Sequence, residues 1–295
     1  MSPTPDERSQ TVAAAMREIS HIATLPEITV KIIEMVEDPK STAQDLHEVI
    51  SQDPALCSRI LKVVNSSFYG LPGQIGSINR AIVMLGLNAV KNIAIAASLV
   101  KLFRGGDLAP GFSAKNLWDH CTLVASCSKM LSDQLKLGLG DEAYLAGLVH
   151  DIGIVVELQY DRNKLVEVFT ATGVDSSGVP AGDMLAEEDR VFGANHQDFG
   201  IGLCEKWKFP KSLEQVTGFH HRPMELPAES RSLVSIVSVA DRITGSIPGG
   251  FRADLASLDH DPQVLDQLGV SPERITQLTD QFFAMCEKNE ADVAA

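Results

Sequence analysis

The sequence predicts an all-α fold, and three observations carry that expectation. Apolar residues recur at helical spacing along most of the 295-residue chain. Capping residues and Asp-Pro or Ser-Pro pairs stand directly before several of those runs. No run alternates apolar and polar residues as a half-buried strand does. Aliphatic side chains dominate a 44% hydrophobic content in which aromatics are only 5% of the chain, a balance that suits closely packed helices.

The elements follow in order. Residues 28–36 carry a helical apolar repeat, and Asp38-Pro39 stops it. Thr42 with Asp45 three residues later has the form of an N-cap and an acidic N3 partner. Asp53-Pro54 opens a helix through Leu56, Ile60, Leu61 and Val64. Residues 66–76 form a Gly/Pro loop. Ser77 caps a helix over 78–85, and Gly86 separates it from another over 87–103. The stretch 104–111, rich in Gly with Pro110, marks a boundary. Ser113 then caps a helix bearing Leu117, Cys121, Val124, Cys127 and Leu131, with His120 on or beside its buried face. A helix over 142–149 delivers His150-Asp151, and Gly153 loosens the backbone just after. Further helices are expected over 154–170, over 187–207 around His196, over 211–221 before Pro223, and over 229–244 with Asp241 on it. The stretches 172–182 and 246–262 read as loops, and Ser271-Pro272 opens a last helix over 273–288. No internal repeat is visible.

Composition narrows the function. A net charge of -14 repels nucleic acid and anionic membranes, so neither is an expected partner. The cysteines Cys57, Cys121, Cys127, Cys204 and Cys286 form no CxxC pair and no even framework. Reduced thiols in a cytoplasmic protein are the expectation. Residues 1–10 lack the basic and apolar regions of a signal peptide. The most apolar stretch, 89–100, is too short to span a membrane and contains Lys91 and Asn92.

The chemistry-bearing residues are His120, His150, Asp151, His196, His220, His221 and Asp241. Most lie in or beside runs that read as buried helix, where such side chains need partners. Neutral imidazoles with balancing carboxylates suit Fe, Mn, Zn, Co or Ni. His120, His150, Asp151 and Asp241 could close one metal site. His196, His220 and His221 could hold a second, with Asp151 bridging. Two cations sharing a carboxylate suit attack on a phosphoester. His220 and His221 reach one site most easily at a helix end, where Pro223 places them. Each residue also has a plainer reading. A single buried His is commonly a hydrogen-bonded core residue, Asp151 could cap the next helix, and Asp241 could pair with Arg242.

Residues 25–244 resemble the HDOD family of bacterial signalling proteins. The marks are Leu25-Pro26, then Val49-Ile50-Ser51-Gln52-Asp53-Pro54-Ala55-Leu56, and Val64-Asn65-Ser66-Ser67-Phe68-Tyr69-Gly70. Ile78-Asn79-Arg80-Ala81-Ile82, Leu85-Gly86, Trp118-Asp119-His120 and Gly147-Leu148-Val149-His150-Asp151-Ile152-Gly153 follow. Phe192-Gly193-Ala194-Asn195-His196, Trp207-Lys208-Phe209-Pro210 and His220-His221-Arg222-Pro223 complete them. The resemblance implies an N-terminal helical bundle packed on a degenerate relative of the HD phosphohydrolase fold. The expected division is a flexible lead-in over 1–20, a helical subdomain over 21–108, an HD-like metal-site subdomain over 109–245, and a loop with a C-terminal helix over 246–295.

The HD-GYP cyclic-di-GMP phosphodiesterases are similar in their His and Asp positions, and all seven residues named above match by motif. Three departures weigh against catalysis. Ile154 stands where an HD-GYP enzyme has Lys, Asn116 where it has Glu, and Arg222-Pro223-Met224-Glu225-Leu226-Pro227 replaces the Gly-Tyr-Pro segment. The expectation is a non-catalytic signalling module with a protein partner, and with a small phosphorylated ligand as a second candidate partner. Its cofactor would be one divalent cation or two, Fe or Mn ahead of Zn, Co and Ni. The alternative is a metal-dependent phosphohydrolase in which Asp151 is the catalytic bridging carboxylate.

Overall fold

Several helix starts among the described residues are set by side chains that satisfy the first free backbone N–H groups. Thr4 and Glu7 form a capping box for α1 (Pro5–Glu18), and Thr42 and Asp45 form another for α3 (Ala43–Ser51). Asp53 caps α4 (Pro54–Val64), whose Pro54 is at the first helical position. Ser77 caps α5 (Ile78–Leu85). The computed structural model describes residues 3–19, 27–38, 40–66, 69, 71, 73–103, 107–109, 112–175, 178–247 and 251–294. Leu25-Pro26, Ser67, Phe68 and Gly70 lie outside the described residues, as do parts of the loops at 104–111, 172–182 and 246–262.

The fold is all-α. The N-terminal helices α2 (Glu27–Glu37), α3, α4 and α5 gather around α6 (Leu87–Leu99). Buried residues run continuously from Ala89 to Leu99 in α6, including Lys91, Asn92 and Ser98. Lys91 Nζ donates to the Met35 carbonyl of α2, which gives that buried ammonium a partner. Beyond it, α7 (Ala114–Gln134) and α8 (Gly140–Val149) pack together, and α6 also packs on α8. α14 (Arg231–Gly245) packs on α7 and α8. α12 (His196–Trp207) packs on α9 (Ile152–Tyr160) and α13 (Lys211–Phe219). One hydrophobic core runs through both groups of helices. Among the described residues no helix is long and apolar enough to cross a membrane.

The structure corrects several expectations. The helix expected over 154–170 is two, α9 and α10 (Arg162–Thr172). Asp161 ends the first and caps the second by accepting from the Asn163 and Lys164 N–H groups. The helix expected over 187–207 is also two, α11 (Met184–Phe192) and α12. Gly193, at φ 84°, ends α11 in the left-handed region that favours glycine, and Asn195 with Asp198 starts α12 through a capping box. In both places the apolar repeat continues across the break, so periodicity alone cannot reveal it. A short antiparallel hairpin, β1 (Asp107–Ala109) with β2 (Phe112–Ser113), stands where no strand is expected. Strands this brief cannot show an alternating pattern. The lead-in over 1–20 contains α1, which packs on α12 and α9. Arg8 on α1 pairs with Asp189 and Asp198. α15 (Pro262–Leu268) follows the loop after α14, and α16 (Pro272–Ala294) touches α7.

Candidate metal centre

Five short backbone segments deliver the site. His120 comes from α7 and Asp241 from α14, which pack together. His150 is the C-cap of α8, and Asp151 follows at the start of α9. Asp151 makes no side-chain capping bond, so its carboxylate is free to turn inward. Asp241 is likewise not paired with Arg242, whose guanidinium bonds Ser238 and the Asp259 carbonyl. His196 is the first residue of α12, fixed by the Asn195–Asp198 capping box. His220 is the C-cap of α13 and His221 follows it. The chain leaves the helix there, and the two imidazoles lie with ring centroids 4.1 Å apart. Gly153 permits the assembly: a Cβ there would meet the His196 carbonyl oxygen at 1.8 Å.

Outer partners aim the imidazoles. His150 Nδ1 lies 2.7 Å from the Gly147 carbonyl and His220 Nδ1 3.1 Å from the Val216 carbonyl. A carbonyl only accepts, so each Nδ1 carries the proton and a neutral ring leaves its Nε2 lone pair for the interior. Glu188, buried on α11, does the same for His196, with Nδ1 at 2.8 Å and the backbone N–H at 3.0 Å.

Asp151 divides its two oxygens between two groups of donors. Oδ2 is 3.2 Å from His150 Nε2 and 3.8 Å from His120 Nε2. Oδ1 is 3.3 Å from His220 Nε2 and 3.8 Å from His196 Nε2. Asp241 Oδ1 lies 3.2 Å from His120 Nε2 and 3.8 Å from His150 Nε2. His221 Nε2 lies 3.1 Å from His196 Nε2. Ligand atoms fall within 4.8 Å of one another in His120, His150 and Asp241, and again in Asp151, His196, His220 and His221. All seven expected residues therefore converge.

The donors are buried yet unsatisfied. Both carboxylate oxygens of Asp151 and Asp241, and the Nε2 atoms of His120, His150 and His220, have no aligned hydrogen-bond partner. The His–Asp separations above allow charge attraction without that alignment. Orphaned buried polar atoms require an explanation, and a mixed N/O donor set around a shared carboxylate fits divalent transition metals. The charge pattern agrees. Burial opposes charge on His150, but Asp151, Asp241 and Asp254 outweigh it and push its pKa up to about 9. Burial is likewise outweighed at His196 by Glu188 and Asp151, which push it up to about 10. Burial and the neighbouring His220 and His196 hold His221 well below the usual imidazole range. Without a cation, protons supply part of the positive charge that the carboxylates demand.

Two members were missed by sequence reasoning. Asp254, on the loop after α14, has a fully buried side chain with its Oδ2 3.5 Å from His221 Nε2. Glu188 lies eight residues before His196. Neither has a local sequence signal, because each reaches the centre only through tertiary packing. Ile154 is fully buried in the core. The site is shielded: His120, His150, Asp151, His196, His220 and Asp241 side chains are at most 1% exposed, and His221 is 10% exposed. A cavity of about 300 Å³ lies on the His221 side, between Arg222, Met224, Arg242 and His260. A larger one of about 640 Å³, bordered by Asn88, Asn92, Lys129 and Leu139, contains none of these residues.

A family model described as HDOD domain matches residues 22–223. An uncharacterized protein of Treponema pallidum is 24% identical over 79% of this chain, and the chain spans 45% of that relative's length. An HDOD domain protein with unknown function from Geobacter sulfurreducens has a similar crystal structure: TM-score 0.79, 23% identity, 98% of each chain covered. A protein provisionally described as a signal transduction protein, from Marinobacter aquaeolei, matches with TM-score 0.74 and 20% identity, over 98% of this chain and 65% of its own. At these identities the structural likenesses establish the fold.

Proposed function

The chain belongs to the HDOD family, and from that premise we propose that it is a signal-transduction module whose buried His/Asp centre holds metal without turnover. The burial of the donor set carries this reading. A hydrolase must bring a substrate to its cations, whereas six of the seven expected ligands here are at most 1% exposed. Burial of this kind leaves a substrate little access to a bound cation, whereas catalytic sites keep a position open to it. His120, His150 and Asp241 would hold one divalent cation. His196, His220 and His221 would hold the second, with Asp151 between them and Glu188 orienting His196. Bound metal would supply positive charge that locks five separated segments together. Fe and Mn are favoured over Zn, Co and Ni. The signal would pass to a protein partner, with a small phosphorylated ligand as the other candidate, and the protein would work in the cytoplasm.

The test is elemental analysis of protein purified without chelator or histidine tag, beside Asp151→Ala. Near-stoichiometric metal in the wild type, lost in the variant, is expected. Wild type lacking metal even after Mn(II) or Fe(II) loading would sink the proposal. The second reading, a metal-dependent phosphohydrolase using Asp151 as bridging carboxylate, is favoured by the division of the Asp151 oxygens between two donor groups. Hydrolysis of an aryl phosphoester or a cyclic dinucleotide, abolished by EDTA and by Asp151→Ala, would replace the first reading with it.

A further inference from the structure

Asp254 lies outside the stretch matched by the family model, which ends at residue 223. It belongs to the loop between α14 and α15. Its side chain is fully shielded from solvent, and neither carboxylate oxygen has a hydrogen-bond partner. An ionised carboxylate left so is costly unless a cation lies beside it; without one, burial and the neighbouring Asp151 and Asp241 push Asp254 well above the usual carboxylate range. Its His221 and Asp241 neighbours offer ligand atoms that, with its own, all fall within 4.8 Å. Packing keeps it there. Phe251, three residues earlier, is 3% exposed. Its ring lies 5.6 Å from that of Phe112 and 5.4 Å from that of His120. Ala253 and Leu255 are buried on either side of Asp254. Turning Asp254 out to solvent would pull this anchored loop from the core.

We propose that Asp254 is an inner ligand of the metal centre, taking a coordination position that an external anion would otherwise fill. This rests on the metal reading above and deepens it. His221 belongs to one donor group and Asp241 to the other, so a carboxylate near both can serve either cation. Charge supports the assignment. Counted over the inner carboxylates alone, Asp151, Asp241 and Asp254 leave a pair of divalent cations one positive charge in excess, and without Asp254 the excess is two. A centre with less excess charge and no vacant position has little affinity for phosphate. The loop would thus convert an HD-type constellation into a closed site.

The experiment compares wild type with Asp254→Asn and Asp254→Ala. Asp259→Asn is the control, since Asp259 lies on the same loop but bonds Ser257 at the surface. Each protein is stripped and titrated with Mn(II), followed by electron paramagnetic resonance and elemental analysis. Removing even the outer partner of a metal ligand costs roughly 10–100-fold in affinity. Asp254→Asn is therefore expected to bind Mn(II) at least about tenfold more weakly, and Asp259→Asn to match wild type. Inorganic phosphate is then added to the Mn(II)-loaded proteins and its phosphorus NMR line is followed. Strong broadening is expected with Asp254→Ala and not with wild type.

Equal Mn(II) affinity in folded wild type and Asp254→Asn overturns this inference and leaves the metal reading standing. No Mn(II) uptake by wild type overturns both. Equal phosphate broadening in wild type and Asp254→Ala overturns the closing role. If Asp254→Ala fails to fold, Asp254→Asn carries both measurements, because it keeps the side-chain shape and removes only the charge.

Discussion

Gly153→Ala should damage both stability and metal binding, for one geometric reason. The added Cβ would lie 1.8 Å from the His196 carbonyl oxygen and 2.9 Å from the Gly200 nitrogen. Real Cβ contacts essentially stop at 3.0 Å, so α9 and α12 must separate by at least about 1.2 Å. Both helices are packed on further neighbours and cannot yield freely. Overpacking costs about 1–3 kcal/mol and occasionally more, and backbone-to-Cβ overlap this deep belongs at the upper end. At roughly 2–4 °C per kcal/mol, Tm should fall by roughly 6–12 °C. The displacement also reaches the site. Asp151 is two residues before Gly153, and its Oδ1 is 3.8 Å from His196 Nε2. Metal–ligand distances tolerate about 0.2 Å, so the cation held by His196 should be lost before the other. Calorimetry of metal-free protein and Mn(II) titration would measure the two effects. Gly76→Ala is the control, because a Cβ there meets nothing within 4 Å. A Gly153→Ala protein melting within about 2 °C of wild type and binding Mn(II) equally well would refute the reasoning.

Three further outcomes are expected. Metal-free protein should lose stability as pH rises from neutral to about 10. His150 at about 9 and His196 at about 10 stand above an unfolded value near 6.5, so the stability of their protonated forms is complete below that value and disappears as pH passes their folded values. Melting curves at several pH values would show it, Mn(II)-loaded protein should decline less, and a metal-free Tm that climbs over this window would contradict it. Asn195→Ala removes the capping box that begins α12 and should cost about 1 kcal/mol, with weaker Mn(II) binding through a less fixed His196. Urea unfolding tests the first part, and an unchanged midpoint would remove it. Arg8→Gln should release α1, because its guanidinium pairs with both Asp189 and Asp198 in a half-buried setting. Faster hydrogen exchange over residues 5–18 with little change in α6 is the expected pattern, and uniform exchange rates would argue against it.

Sequence legibility followed the range of the forces involved. Caps at Thr42, Asp53, Ser77 and Ser113 are local bonds between neighbouring residues, so they could be read and are present. The breaks at Asp161 and at Gly193–Asn195 are hidden, because the apolar repeat on either side stays nearly in phase. The polar first residues of α1 hide it from periodicity, although Thr4, Pro5 and Glu7 carry a full start signal.

By itself, the sequence determined that the chain is helical, where most helices begin, and which His and Asp residues have no comfortable place on an apolar face. Those are consequences of residue type and near-neighbour spacing. Only the tertiary structure decided that one carboxylate of Asp151 turns an oxygen toward each donor group, that Glu188 orients His196, and that Asp254 stands against His221. These depend on helices distant in sequence being brought within a few ångströms. That approach is set by core packing and by the missing side chain of Gly153, which no local pattern encodes.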